Sequence, residues 1–122
     1  MTPTLFQYSM VAAAGALGAV TRLWLTLACD RAFGKGFPTG TLIVNLSGTF
    51  FLGFLIAALP NHNNTMRLAI ATGFLGAYTT FSTFMYDSNS LLSGRPILAV
   101  LNLLGSLLLG LLAVRLGLQL GR

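Results

Sequence analysis

The sequence predicts an all-α integral membrane protein with four transmembrane helices per subunit, the third of them broken, in a single domain spanning residues 1–122. Three observations carry that reading. Charged residues make up 7% of the 122 positions, whereas a soluble domain carries roughly a quarter, and nine charges cannot solvate the surface of a small globule. Mean hydropathy is +0.81. Asp, Glu, Lys and Arg are absent from residues 1–21, 36–66, 68–86 and 96–114, runs of 21, 31, 19 and 19 residues. A helix needs about 20 apolar residues to cross the hydrocarbon core, so four crossings take about 80 residues and leave no room for a soluble domain.

The first helix is expected from about Leu5 to Leu27. Its stretch Ala12-Ala13-Ala14-Gly15-Ala16-Leu17-Gly18-Ala19 is rich in small residues, which let helices approach closely in lipid. The segment begins without a basic leader and runs on as a full-length span, so it is expected to be retained rather than cleaved. Cys29 to Pro38 reads as a loop bearing Asp30, Arg31, Gly34, Lys35 and Gly36. The second helix is expected from about Thr39 to Leu59, stopping at Pro60. His62 falls in the polar stretch Pro60-Asn61-His62-Asn63-Asn64 and reads as a loop residue rather than a ligand. The third helix is expected from about Thr65 to Leu92, interrupted by Gly73, Gly76 and the Thr79-Thr80 pair. The fourth runs from about Pro96, a favourable first-turn residue, to about Leu118.

The charges exclude some partners and leave orientation open. A formal charge of +5 would suggest nucleic acid in a soluble protein, but the basic residues form no run and mostly flank apolar segments, as helix-end anchors do. Cys29 is the only cysteine, which excludes a disulfide framework or a cysteine-rich metal site. With four crossings, one side carries Arg67, Arg115 and Arg122 and the other Arg31, Lys35 and Arg95, with Arg22 near the end of the first helix. Orientation follows the Lys/Arg imbalance. Three against three permits insertion both ways up, which would allow an antiparallel pair, and equally permits one fixed orientation.

Polar residues inside spans are costly unless they meet a partner or a water-filled path. Thr41, Asn45, Gly48 and Thr49 fall on one stripe of the second helix, and Asn102, Ser106 and Gly110 on one stripe of the fourth. Interhelical hydrogen bonding explains any one of them; two such stripes in so small a chain favour a permeation path. The densest feature is Gly76-Ala77-Tyr78-Thr79-Thr80-Phe81-Ser82-Thr83-Phe84, with four hydroxyl residues among Thr79–Thr83. Irregular backbone at membrane depth survives only where protein or a cavity satisfies its polar groups. Freed carbonyls suit a hard cation, while hydroxyl and amide donors suit an anion. Phe81 and Phe84 share a face, and aromatic edges carry partial positive charge that could flank an anion.

On these residues the chain resembles the small fluoride channels called CrcB or Fluc, over nearly its whole length. The resemblance rests on Gly18-Ala19-Val20-Thr21-Arg22, on Gly40-Thr41-Leu42-Ile43-Val44-Asn45-Leu46-Ser47-Gly48, on Gly73 through Phe84, and on Asn102-Leu103-Leu104-Gly105-Ser106. The Thr-Thr-Phe-Ser-Thr-Phe string is its most specific part. The resemblance implies an antiparallel, dual-topology homodimer in the bacterial inner membrane, with two fluoride pores and passive export of fluoride that protects against its toxicity. It implies that Asn45 lines the pore, with Thr41, Thr80, Ser82 and Thr83 supplying hydroxyls, and that Phe81 and Phe84 contact fluoride by their edges. Ser106 and Asn102 would lie on a polar track along the fourth helix, and Arg22 beside an aqueous vestibule. The backbone carbonyls of Gly76 and Thr79 would hold a structural, untransported sodium ion between the subunits. The chain departs from the pattern at Asn102, where many members carry tyrosine, at Asp87, where several carry glutamate, and at Tyr78, where many carry a smaller or aliphatic residue.

Other classes fit less well. A proton-coupled drug exporter of this size needs a membrane-embedded carboxylate; the chain has no glutamate, and Asp30 and Asp87 lie toward span ends. A non-transporting assembly factor would not need the hydroxyl-rich break. An enzyme would need a nucleophile set, metal cluster or phosphate loop that is missing here.

Overall fold

The structure, a computed structural model, describes residues 2–61 and 64–122; the loop position of His62 lies outside the described residues. Among the described residues every regular element is helical, and four stretches are long and apolar enough to cross a membrane: Leu5–Phe33, Thr39–Ala58, Asn64–Leu92 and Pro96–Leu120.

Helix α1 (Leu5–Phe33) opens on a reciprocal cap. The Thr4 hydroxyl accepts from the Gln7 N–H at 3.3 Å, and the Gln7 side chain accepts from the Thr4 N–H at 2.9 Å. The helix continues past Leu27 through Cys29, Asp30 and Arg31, because charge alone does not break a helix. It ends where Gly34 adopts φ 75° and donates its N–H to the Asp30 carbonyl at 2.9 Å, a conformation that glycine takes without steric cost. At 29 residues, α1 is about 43 Å long, so it exceeds the hydrocarbon thickness and tilts or projects.

Helix α2 (Thr39–Ala58) stops at Leu59, whose extended backbone (ψ 126°) is the one that a following proline imposes. The third span has four parts: α3 (Asn64–Arg67), a wider π-helical stretch (Leu68–Leu75), α4 (Gly76–Tyr78) and, after a two-residue interruption, α5 (Phe81–Leu92). Helix α6 (Pro96–Leu120) carries its proline in the first turn, where the missing N–H has no partner to lose.

Helix α2 packs along α6, while α1 packs along the π-helical stretch and α4. Glycines set both seams. A methyl group on Gly18 would collide with the Phe74 carbonyl, and one on Gly117 with the Phe50 carbonyl. Side-chain-free contact of this kind is how helices gain packing energy where lipid removes the hydrophobic drive. Buried Val44, Leu75 and Tyr78 form the core, with Leu25, Leu52, Leu55, Ile70 and Phe74 against them. Most other large apolar residues face outward, including Leu101, Leu104, Leu108 and Leu111 of α6, which is the arrangement a lipid solvent favours.

Candidate functional site

The interruption in the third span falls at Thr79 (φ −82°, ψ 158°) and Thr80 (φ −149°, ψ 120°), both extended. Extended residues within a helix strand backbone donors and acceptors, and α2 supplies the replacements. The Thr80 N–H donates to Asn45 Oδ1 at 2.8 Å, and Asn45 Nδ2 donates to the Thr80 carbonyl at 3.0 Å. One carboxamide thus satisfies both polar backbone groups of one residue. Thr80 then caps α5: its hydroxyl accepts from the Thr83 N–H at 3.2 Å and lies 3.4 Å from the Ser82 hydroxyl.

Behind the break, Tyr78 is buried with its hydroxyl 2.9 Å from that of Ser47. Its ring stacks on Phe74 at 5.8 Å between centroids. Gly48 leaves room for both Tyr78 and Thr79; a Cβ there would strike the Thr79 methyl and sit 3.1 Å from the Tyr78 ring.

The hydrogen bonds at the break also test the sodium assignment. In a continuous helix the Gly76 carbonyl would receive the Thr80 N–H, but that donor turns to Asn45. The Thr79 carbonyl would receive the Thr83 N–H, which instead caps onto the Thr80 hydroxyl. Both carbonyls are therefore released from their helical partners, with Gly76 exposed and Thr79 half-buried. Released carbonyl oxygens are the donor type a hard monovalent cation takes, so the residues present fit such an ion.

A cavity of about 720 Å³ opens between α1, the α1–α2 loop, the start of α2 and α5. Its lining carries three cationic side chains, Arg22, Lys35 and Arg95, against the two carboxylates Asp30 and Asp87, a formal balance of +1. Thr41 and Thr80 are the buried hydroxyls at its wall, with Thr83 beside them. The Thr41 hydroxyl donates to Asp87 Oδ2 at 2.8 Å.

Arg22, Thr41, Thr80 and Thr83 thus share one cavity, and Asn45 grips Thr80. Phe81 and Phe84 lie 6.3 Å apart between centroids at 67°, yet Phe84 is 7% exposed and Phe81 is 74% exposed. Spacing put them on one face; packing turns Phe84 into the subunit and leaves Phe81 outside with Ser82 and Gly76. Asn102 is not at the cavity. It is buried and donates through Nδ2 to the Ser88 hydroxyl at 3.0 Å, which in turn donates to the Phe84 carbonyl at 2.7 Å. Ser106 is half-buried one turn farther along α6.

The model of the family described as "CrcB-like protein, Camphor Resistance (CrcB)" matches residues 9–118. The chain belongs to this family. It is similar to a protein of Dehalococcoides mccartyi at 45% identity over 116 residues, covering 92% of this chain and 89% of that one. A protein of Acidobacterium capsulatum is 43% identical over 119 residues, covering 94% and 95%. One of Maridesulfovibrio salexigens is 39% identical over 120 residues, covering 95% of each. All three carry the name "Fluoride-specific ion channel FluC". The family is one of channels rather than enzymes, and its four apolar helices make this member a multi-pass membrane protein.

Sequence reasoning missed two groups in this family member. Ser88 lies outside the polar stripes and the hydroxyl-rich string, although its spacing of four from Phe84 puts it one turn away on the same face. Ser47 sits beside the second-helix stripe and pairs with Tyr78, a contact that no local pattern announces.

Proposed function

We propose that the chain is a fluoride-selective channel that lets fluoride leave the cytoplasm passively, and so protects the cell against fluoride. The observation that carries the reading is the cation-bearing cavity whose buried wall is the hydroxyl-lined break in the third span. The names of the relatives support fluoride as the ion. Fluoride is small and strongly hydrated, so its dehydration must be offset by several donors in sequence. Arg22, Lys35 and Arg95 attract the anion into the vestibule. Thr41, Thr80, Ser82 and Thr83 then offer hydroxyls, Asn45 sets the break on which they stand and lines the path, and Ser106 continues the polar track. The edges of Phe81 and Phe84 flank the anion weakly enough to let it leave.

Phe81 lies outside its own subunit, and its edge can act only if another surface covers it. An antiparallel homodimer of dual topology, in the bacterial inner membrane, supplies that surface and agrees with the near-balance of basic residues, four on the cavity side with Arg22 counted and three on the other. A second copy would also bring two more carbonyls to those of Gly76 and Thr79. A structural sodium held there would supply a fixed positive charge beside the paths and would tie the copies together.

Ion efflux from liposomes tests the reading. The purified protein is expected to release fluoride rapidly and chloride little, with Phe81→Ile losing most fluoride flux. A folded, dimeric protein that retains fluoride would return the polar stripes to a packing role.

The carboxylate in the vestibule yields a second expectation. Asp87→Asn removes a negative charge along the anion's route. A charge about 6 Å away in water is worth about 0.7 kcal/mol, so fluoride flux should rise about threefold at low ionic strength. The gain should vanish near 1 M salt, where the screening length falls to about 3 Å. Thr41→Val, which keeps the charge and removes the hydrogen bond, should not reproduce the gain. An Asp87→Asn effect that salt leaves unchanged would assign Asp87 a packing role instead.

A further inference from the structure

We infer that Ser88 and Asn102 are positioning residues for Phe84, fixing the rotation of α5 that aims this ring's edge; the inference rests on the channel reading above. Helix α5 has only 12 residues and is uncoupled from α4 by the two extended threonines. A short helix entered through such a break can turn about its axis unless its neighbours hold it. Among the described residues, two side-chain hydrogen bonds join α5 to other helices: Thr41 to Asp87, and Asn102 to Ser88. They attach at consecutive residues, one turn after Phe84, and pull toward α2 and α6 respectively. The first lies at the wall of the open cavity. The second is dry, with Ser88 3% and Asn102 2% exposed.

The dry pair runs in one direction. The Asn102 amide donates to the Ser88 hydroxyl at 3.0 Å, and that hydroxyl donates to the Phe84 carbonyl at 2.7 Å, so each bond polarises the next. Serine alone could bond back to its own helix; the asparagine makes the link reach α6. Leu91 and Ala99, three residues from Ser88 and from Asn102 on their helices, are also buried, and an apolar pair in place of the two would cohere as well. A satisfied polar network at such a place contributes direction rather than cohesion. Direction is what Phe84 requires, because an aromatic ring attracts an anion along its edge and repels it from its face.

The test replaces Phe84 by 4-fluorophenylalanine and records its fluorine NMR spectrum in otherwise native protein, in Ser88→Ala and in Asn102→Leu. The fluoride and chloride effluxes of the same two substitutions, with native Phe84, are measured in parallel. Native protein should give one resonance, and each substitution should shift or split it. The ratio of fluoride to chloride flux should fall about tenfold in each, the scale of one lost buried hydrogen bond. The double variant should be no worse than either single, because both remove one linked element. Unchanged resonance and unchanged flux ratio, with only a lower melting temperature, would overturn the inference. So would a double variant that loses the product of the two single effects. Ser88→Ala deletes a single oxygen and carries the test alone where Asn102→Leu does not assemble. If native protein passes no fluoride, the channel reading fails, and the resonance still decides whether the pair positions the ring.

Discussion

Asn45→Leu should abolish fluoride efflux and lower the stability of the folded protein by about 2–4 kcal/mol, the cost of leaving two partly buried backbone groups unsatisfied. The substitution keeps the approximate volume of the side chain and removes both hydrogen bonds at the break, to the Thr80 N–H and to the Thr80 carbonyl. Thr80 is only 9% exposed at the cavity wall, so solvent replaces these two bonds poorly. The extended residues would have to refold toward helix or drag water in, and either change moves the cap on α5. Asn45→Asp separates the two roles of the side chain. A carboxylate still accepts the Thr80 N–H, so about half the stability loss should be spared, but it cannot donate to the carbonyl and it places a negative charge on the proposed anion route. Flux should therefore vanish in both variants while unfolding, followed by helix signal in detergent, distinguishes them. If Asn45→Leu unfolds with native stability, the clamp is not what holds the break.

The four spans were legible in the sequence because charge is almost absent and its few positions mark the edges of apolar runs. The end of the first helix was not. Asp30 and Arg31 resembled loop residues, yet only Gly34 offered the positive φ that stops the helix. The break was legible as a region of nine residues, from Gly76 to Phe84, since glycine and hydroxyl density mark weak helix. Its location at Thr79 and Thr80 depends on which backbone groups Asn45 can reach from α2, a tertiary fact. The π-helical turn of Leu68–Leu75 left no trace, because nearly every residue there is apolar or small and a wider winding changes no pattern. The candidate site divides in the same way. Spacing could pair Phe81 with Phe84 and Thr41 with Asn45, since faces follow from periodicity. It could not foresee that Phe84 is buried while Phe81 is exposed, or that Asn102 serves Ser88, because those depend on what packs opposite.

Gly117→Val should prevent the subunit from folding, whereas Gly105→Ala and Gly110→Ala should leave its helices assembled. Spacing along α6 gives no means of ranking these glycines, and it places Gly110 on the polar stripe with Asn102 and Ser106. The structure separates them by what a side chain would meet. At Gly117 a Cβ collides with the Phe50 carbonyl and lies 2.8 Å from the Phe54 N–H nitrogen. Both are backbone atoms of α2 and cannot rotate aside, so the two helices must part along their whole seam. Overpacking a seam costs about 1–3 kcal/mol when side chains can yield, and more is expected where only backbone can. Gly105 and Gly110 meet nothing within 4 Å in the subunit. Helix content and thermal unfolding in detergent check the first point, and crosslinked dimer yield adds a second. A Gly105→Ala or Gly110→Ala variant that keeps its fold but loses the proposed dimer would locate that glycine at the contact between copies. A Gly117→Val protein with native melting behaviour would mean that α2 and α6 do not meet as closely as described, and the seam that carries Asn45 and Asn102 to the third span would need redrawing.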